Sequence, residues 1–347
     1  MENLELNTDI DGKIPLVSVI VPTYNHEKYI RQCLDGIFMQ KVDFPYEVLV
    51  HDDASPDGTA DIIREYEAKY PDIIKPIYQT ENQYSKDKSI ISRLQYGRAK
   101  GKYIAFCEGD DYWDDNKKMQ FQVDFLEEHP EYSGTAHNVA VIDAEGEPYN
   151  YYFDFSNHPS HEYTLNDYSH GKIAGQVGSL IIHNLFSTLD KEILDKYYLC
   201  KANGDEKISL LCLLNGKVYF FDKIMSKYRY VTSNSTSWSS QVFSKNMAYD
   251  TYSRWMATAN FAKDVYAVSI DMHEYWVYAL FHAISSYLFN KNQENLDILR
   301  LITSACPDKR GYYFYAIKRI PHYFLLVSRK KIKICYRRYV RQHLVKN

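Results

Sequence analysis

Residues 102–115 read KYIAFCEGDDYWDD. The first half is apolar and β-prone, the composition of a buried strand. The second half gathers the carboxylates of Glu108, Asp110, Asp111, Asp114 and Asp115, with Gly109 inside the cluster and Tyr112 and Trp113 beside it. A chain that leaves its core into so much like charge has two outcomes. It becomes a solvated turn, or it holds a cation that offsets the repulsion. Asp114 and Asp115 fit the first outcome, as solvated or capping residues ahead of the next helix. Glu108 to Asp111 fit the second. Mg²⁺ and Mn²⁺ take hard oxygen ligands, often one or two carboxylates together with substrate phosphates. Side chains two apart on an extended segment point the same way, so Glu108 and Asp110 or Asp111 can reach one ion. Asp111 is the leading candidate for the metal, with its neighbour free to hold a ribose hydroxyl.

The same grammar occurs twice upstream. The β-branched run of LVSVIVPTY (16–24) ends in the polar cluster Pro22–Asn25, and YEVLVHD (46–52) runs into Asp52, Asp53 and the turn ASPDG. A helix is expected from about His26 to Gln40. DGTADIIREYEAKY (57–70) has apolar residues at helical spacing, with Asp57 or Thr59 as N-cap. IIKPIYQ (73–79) reads as a third strand, KSIISRLQYGRAKG (88–101) as a helix, and NKKMQFQVDFLEEHP (116–130) as another that stops before Pro130. Strands and helices alternating at this spacing predict an α/β fold with a mostly parallel central sheet flanked by helices. Ligands in such sheets sit beyond the C-terminal strand ends, where all three polar clusters fall.

The three segments VSVIVPTYN (17–25), EVLVHDDASPDGT (47–59) and GKYIAFCEGDDYW (101–113), in that order and spacing, resemble the nucleotide-sugar-binding half of family 2 glycosyltransferases, which have the GT-A fold. The resemblance covers roughly the first 130 residues. It implies that Pro22, Thr23 and Tyr24, with Asn25 in the same segment, and Asp53 hold the uridine of a UDP-sugar. Asp53 would accept a hydrogen bond from the pyrimidine N–H. It also implies that Glu108, Asp110 and Asp111 are the family's acidic motif, with Asp110 and Asp111 at a Mn²⁺ or Mg²⁺ ion. Glu108 stands where the first Asp is more usual.

Further along, NGDEKISLLCLLNGK (203–217) is similar to the family's segment that carries a catalytic base at the start of a helix, which implies that role for Asp205. A sugar hydroxyl is a poor nucleophile until a carboxylate accepts its proton. The plain alternative is that Asp205 only caps the helix. YRYVTSNSTSW (228–238) resembles the family's Tyr-Arg segment and polar loop, which implies that Arg229 and the Ser/Thr residues touch the diphosphate or cover the acceptor, against the plain alternative of an interdomain linker. The Gln-x-x-Arg-Trp segment of processive members is lacking, which implies one sugar per encounter. Lys88 or Arg93 are further candidates for the uracil or phosphates, against a solvated helix start. His137 and His183 lie in strand-like runs and read as structural.

The second half is less regular. SGTAHNVAVID (133–143) and GSLIIHN (178–184) read as strands, VYFFDKIMSKYRY (218–230) as a strand pair, and the chain from Val242 onward as mostly helical. The expected domains are a catalytic one over 1–235 and a helical C-terminal region over 236–347. Residues 309–347 contain no acidic side chain and alternate Lys and Arg with Tyr, Phe, Leu and Ile. That pattern fits an anionic membrane surface or the basic outer face of a packed helix.

A net charge of −4 over 347 residues offers no basis for nucleic-acid binding. The polar N-terminus shows no signal-peptide pattern, and the six scattered cysteines form no C-x-x-C pair. A cytoplasmic protein with reduced thiols is expected, working at the inner face of the cell membrane if the C-terminus binds lipid. The 33 tyrosines can stack on sugars or simply pack. The function these readings converge on is an inverting, non-processive transferase. It would move a sugar from a UDP-sugar to a hydroxyl of a glycan or lipid-linked acceptor of bacterial surface polysaccharide. Two rivals are weighed. A nucleotidyltransferase wants a Gly-rich basic loop where PTYNHEKY (22–29) stands. A non-catalytic sugar-nucleotide-binding module would have no use for Asp205.

Overall fold

Each apolar run that precedes a polar cluster is a strand of one sheet. The computed structural model describes residues 14–149, 157–230, 247–308, 310–312 and 316–318. In it β1 (Val17–Thr23), β2 (Tyr46–Asp52), β3 (Ile77–Tyr78) and β4 (Tyr103–Phe106) pair in parallel in the order β3-β2-β1-β4. Alternate side chains of these strands enter two different cores. Val17, Val19, Val21, Val48, Val50, Tyr103 and Ala105 pack with α1 (Ile30–Phe38), α2 (Thr59–Lys69) and α4 (Lys118–Glu128). Ile20, Leu49, Ile104 and Phe106 face a second core. That core includes residues of α3 (Ile90–Arg98), α6 (Lys191–Leu199) and α7 (Gly204–Asn215), the short α5 (Leu165–Ser169) preceding the last two. Burial on both faces is why these strands read as continuous apolar runs.

Beyond β4 the sheet is mixed. β8 (Ile181–His183) runs antiparallel to both β4 and β6 (Tyr132–Ile142), and β6 pairs in parallel with β9 (Lys217–Arg229). The outer edge of β9 takes β7 (His161–Tyr163) and β5 (Tyr112–Trp113), both antiparallel. The stretch expected as a strand pair is therefore one long strand. Asp222 and Lys223 look like a turn in the sequence, but they fall at a register shift between His137↔Phe221 and Asn138↔Ile224, where β9 bulges and continues. β5 starts one residue after the acidic cluster, so the charged loop is pinned between the central strand β4 and the strand β9.

The described residues up to Tyr168, from Lys172 to Tyr230 and from Ala257 to Ile270 form one compact unit. Ser169–Gly171, residues 247–256 and those from Asp271 onward form another. The second unit holds the first half of α8 (Met247–Tyr266), α9 (His273–Phe289) and α10 (Gln293–Ala305), with its own core of Ala248, Trp276, Leu280, Phe281 and Ile302. Asn292 caps α10 by accepting the Asn295 N–H at 2.8 Å. Among the described residues no helix is long and apolar enough to cross a membrane. The Ser/Thr run at 231–240 and nearly all of the basic stretch 309–347 lie outside the described residues.

Two glycines test this packing in opposite directions. A Cβ at Gly36 of α1 would sit 2.5 Å from the carbonyl oxygen of Trp113, on the backbone of β5, whereas one at Gly97 of α3 would meet nothing within 4 Å. Gly36→Ala is expected to cost about 1–3 kcal/mol by overpacking. Gly97→Ala is expected to gain up to about 1 kcal/mol from helix propensity. Urea unfolding of the two variants reads both signs.

Candidate active site

The three strand ends are tied into one surface by backbone-to-side-chain bonds. After β1 the chain turns at Asn25, whose φ of 61° is left-handed and is a conformation Asn tolerates. The amide N–H groups of Asn25, His26 and Glu27 donate to Ser55 Oγ (2.9 Å), Thr59 Oγ1 (2.8 Å) and Asp57 Oδ2 (3.0 Å). The turn after β2 is thus built to hold the turn after β1, which explains ASPDGT as more than a reversal. Ala54 at φ 62° is a second left-handed residue, at the point where Asp53 leaves the sheet. Such a conformation costs Ala on the order of 1–3 kcal/mol and has to be held by its surroundings. Pro22 and Thr23 close β1, and Thr23 Oγ1 lies 3.2 Å from His26 Nδ1. Tyr24 is half-buried and Asn25 exposed.

Asp53 has a task that the sequence does not reveal. It is 1 % exposed, and its two carboxylate oxygens accept the backbone N–H groups of Gln83 (2.8 Å) and Tyr84 (3.0 Å). Asp53 therefore orders the segment after β3 and brings Tyr84 within electrostatic range of Glu108. Each oxygen retains a second lone pair. Burial raises the Asp52 carboxyl above its ordinary value, against the hydroxyl of Ser55 that donates to it.

Gly109 is required by close approach. A Cβ there would stand 2.6 Å from Thr23 Oγ1 and 2.8 Å from His26 Nδ1, and the Gly109 N–H donates to the Pro22 carbonyl at 3.0 Å. With the loop pressed against β1, carboxylate oxygens of Glu108, Asp110 and Asp111 come within 4.8 Å of one another. His26 Nε2 lies 3.7 Å from Asp110 Oδ2. Asp111 is buried, 3 % exposed, and held by both oxygens: Oδ1 accepts the Arg229 amide at 2.7 Å and Oδ2 the Gln176 side-chain amide at 2.9 Å. Burial first, and then the charges of Asp110 and Glu108, raise the Asp111 carboxyl well above the usual range. Glu108 keeps part of its surface open to solvent. Crowding by protein, then Asp110, then Asp205 push it up to about 8. Three hard oxygen donors this close to one another are a donor set that a divalent cation fits.

Arg229 is held by groups of its own protein. All three guanidinium nitrogens are already engaged. Nε donates to the Asp110 carbonyl (2.9 Å), Nη1 to the carbonyls of Asp143 (3.1 Å) and Ala144 (3.4 Å), and Nη2 to Gln32 Oε1 (2.9 Å). The group also lies 4.5 Å from the centre of the Tyr29 ring, and the residue is 4 % exposed. These bonds tie the acidic loop to β9. Arg93 is also engaged, 5.0 Å over the ring of Tyr198, and Lys88 is exposed. His137 is buried, with Nδ1 2.8 Å from the Asn138 carbonyl oxygen.

Asp205 lies in the first turn of α7 but does not cap it. That position belongs to Asn203, which forms a capping box with Glu206. The box leaves Asp205 half-buried at the helix start, close enough to Glu108 to raise its carboxyl. Its Oδ1 accepts the Glu206 N–H at 2.9 Å. Gln32, Gln176 and Tyr84, which also border this surface, carry no local sequence signal, because their partners lie from 31 to 197 residues away.

Comparison with known proteins accords with this geometry. The family model described as glycosyl transferase family 2 matches residues 18–197, more than half of the chain. The chain belongs to glycosyl transferase family 2. The Mycobacterium tuberculosis protein Rv1520, named as uncharacterised, is 43% identical over 132 residues. That match covers 38% of this chain and 37% of the relative's length. The poly(ribitol-phosphate) beta-glucosyltransferase of Bacillus spizizenii is 35% identical over 99 residues, 28% of this chain and 15% of its own. Among solved structures, S. aureus TarS 1–349 in complex with UDP-GlcNAc matches with a TM-score of 0.58 over 82% of this chain and 79% of that chain. At 19% identity that likeness is one of fold, and the fold is GT-A.

The raised carboxyls give a pH signature. Between the ordinary Glu value near 4.5 and about 8, an unfolded chain has released a proton that folded Glu108 retains, so raising the pH favours unfolding across that window. A cation needs the ionised form and removes the penalty. The melting temperature without metal is expected to fall from pH 5 to 8, and the increment given by Mn²⁺ to grow over the same range. Parallel melts with and without Mn²⁺ across this range check both trends.

Proposed function

We propose that this family 2 member is an inverting, non-processive glycosyltransferase. It moves a sugar from a UDP-sugar to a hydroxyl of a glycan or lipid-linked acceptor in bacterial surface polysaccharide synthesis. The observation that carries the reading is the clustering of Glu108, Asp110 and Asp111 at the tip of β4, with Asp205 within electrostatic range of Glu108. Asp110 and Asp111, with Glu108 beside them, would hold the ion. A Mg²⁺ or Mn²⁺ bound there supplies charge that offsets the charge on the departing diphosphate. The turn Pro22–Asn25 and the segment ordered by Asp53 border the nucleotide end. The name of the Bacillus spizizenii relative, a poly(ribitol-phosphate) beta-glucosyltransferase, supports a polymer acceptor, and the chain spans well under half the length of the two relatives.

In this reading the acceptor oxygen attacks the anomeric carbon as the bond from that carbon to the diphosphate oxygen breaks. The electron pair leaves with UDP, and the hydroxyl proton passes to a carboxylate oxygen of Asp205. A single in-line displacement inverts the anomeric centre. Asp205 suits the role because it stands half-buried in the first turn of α7, within electrostatic range of Glu108, while the capping position belongs to Asn203. The catalytic unit is proposed to span 1–235, with the basic stretch 309–347 contacting anionic lipid.

Asp205→Ala is expected to lower turnover by about 10²–10⁴-fold, the usual contribution of a general base, with UDP affinity nearly unchanged. Asp111→Ala is expected to lose turnover together with the metal-dependent part of UDP binding. Calorimetric titration of UDP with and without Mn²⁺ separates them. Equal UDP affinity in the two variants would overturn these roles.

A further inference from the structure

We infer that Gln176 is a positioning residue for the metal-binding carboxylate, setting the orientation of Asp111. The inference rests on the proposed reading of the acidic cluster as a cation site. Gln176 begins a single 3₁₀ turn, Val177–Ser179, and is 7 % exposed. Its side-chain amide is held at both ends. Oε1 accepts the backbone N–H of Gly178 at 2.6 Å, and Nε2 donates to Asp111 Oδ2 at 2.9 Å. The first bond fixes which end is which. A backbone N–H can only donate, so the oxygen must face Gly178 and the nitrogen must face Asp111. The amide cannot flip without setting two donors against each other at Gly178.

The turn that aims this amide is anchored independently. The indole Nε1 of Trp113 donates to the Gly178 carbonyl at 3.0 Å, and the Gln122 side chain donates to the Ser179 carbonyl at 3.0 Å. Trp113 is only two residues beyond Asp111, so the acidic loop and the turn that grips it are locked through each other. The Arg229 amide holds Oδ1 from β9. Asp111 thus has one donor on each oxygen, which leaves each oxygen a second lone pair and removes rotation of the carboxylate as a freedom. Groups that orient a metal ligand in this way typically contribute 10–100-fold to metal affinity.

A capping role alone is the competing explanation, and two substitutions separate the two. Gln176→Asn keeps an oxygen able to cap the turn but is shorter by one bond, about 1.5 Å, and does not reach Asp111. Gln176→Met keeps the volume and loses both bonds. Mn²⁺ dissociation constants, read from the paramagnetic resonance of free aqueous Mn²⁺ with and without UDP, are expected to rise 10–100-fold in both variants. Urea unfolding of the metal-free proteins should show Asn close to the parent. Parent-like Mn²⁺ affinity in Gln176→Asn would overturn the positioning role, and a Met variant that binds Mn²⁺ normally while losing stability would do the same. If the parent protein binds no Mn²⁺ under either condition, the metal reading itself fails and takes this inference with it.

Discussion

Carboxylates do not share a strand end without restraint. Glu108, Asp110 and Asp111 bring their oxygens within 4.8 Å, and in a partly buried setting that repulsion would fling an unsupported loop outward. The rest of the site is organised against this force. Gly109 lets the loop press on Thr23, β5 staples its far end to β9, and Arg229 takes the Asp110 carbonyl while its amide takes Asp111. Much of the hydrogen-bonding capacity of Arg229 thus goes into the shape of the loop.

How much of this the sequence discloses depends on the range of the interactions. β1, β2 and β4 are legible because each is buried on both faces, so their apolar character is continuous and local. The first four helices follow from apolar spacing for the same reason. β5 and β7, at two and three residues, carry no period to read, and their pairing partner β9 is far away in the chain. The bulge at Asp222 and Lys223 mimics a turn because both situations favour polar residues.

The site shows the same division. The acidic cluster announces itself by charge density, and Asp205 through the resemblance of its segment to the family's. Their partners do not. Asp53 is visible as an acid at a strand end, yet its bonds to the amides of Gln83 and Tyr84 depend on a segment 30 residues on. Gln176 is an ordinary glutamine in an irregular stretch until the fold sets it beside Asp111. Arg229 is conspicuous in the sequence, but no periodicity tells whether its guanidinium faces outward to a ligand or inward to carbonyls.

The dependence of the acidic loop on β9 has a consequence for biosynthesis. The ribosome delivers strands β1, β2 and β4 well over a hundred residues before Arg229, and those strands can pair early. Until β9 emerges, the loop can lean on β1 through Gly109 but lacks the Arg229 amide and the strand that pairs β5, so the acidic cluster is only half braced. The bracing of the acidic cluster is therefore completed late, and a chain interrupted before residue 229 carries the parallel strands without the strand that closes the loop.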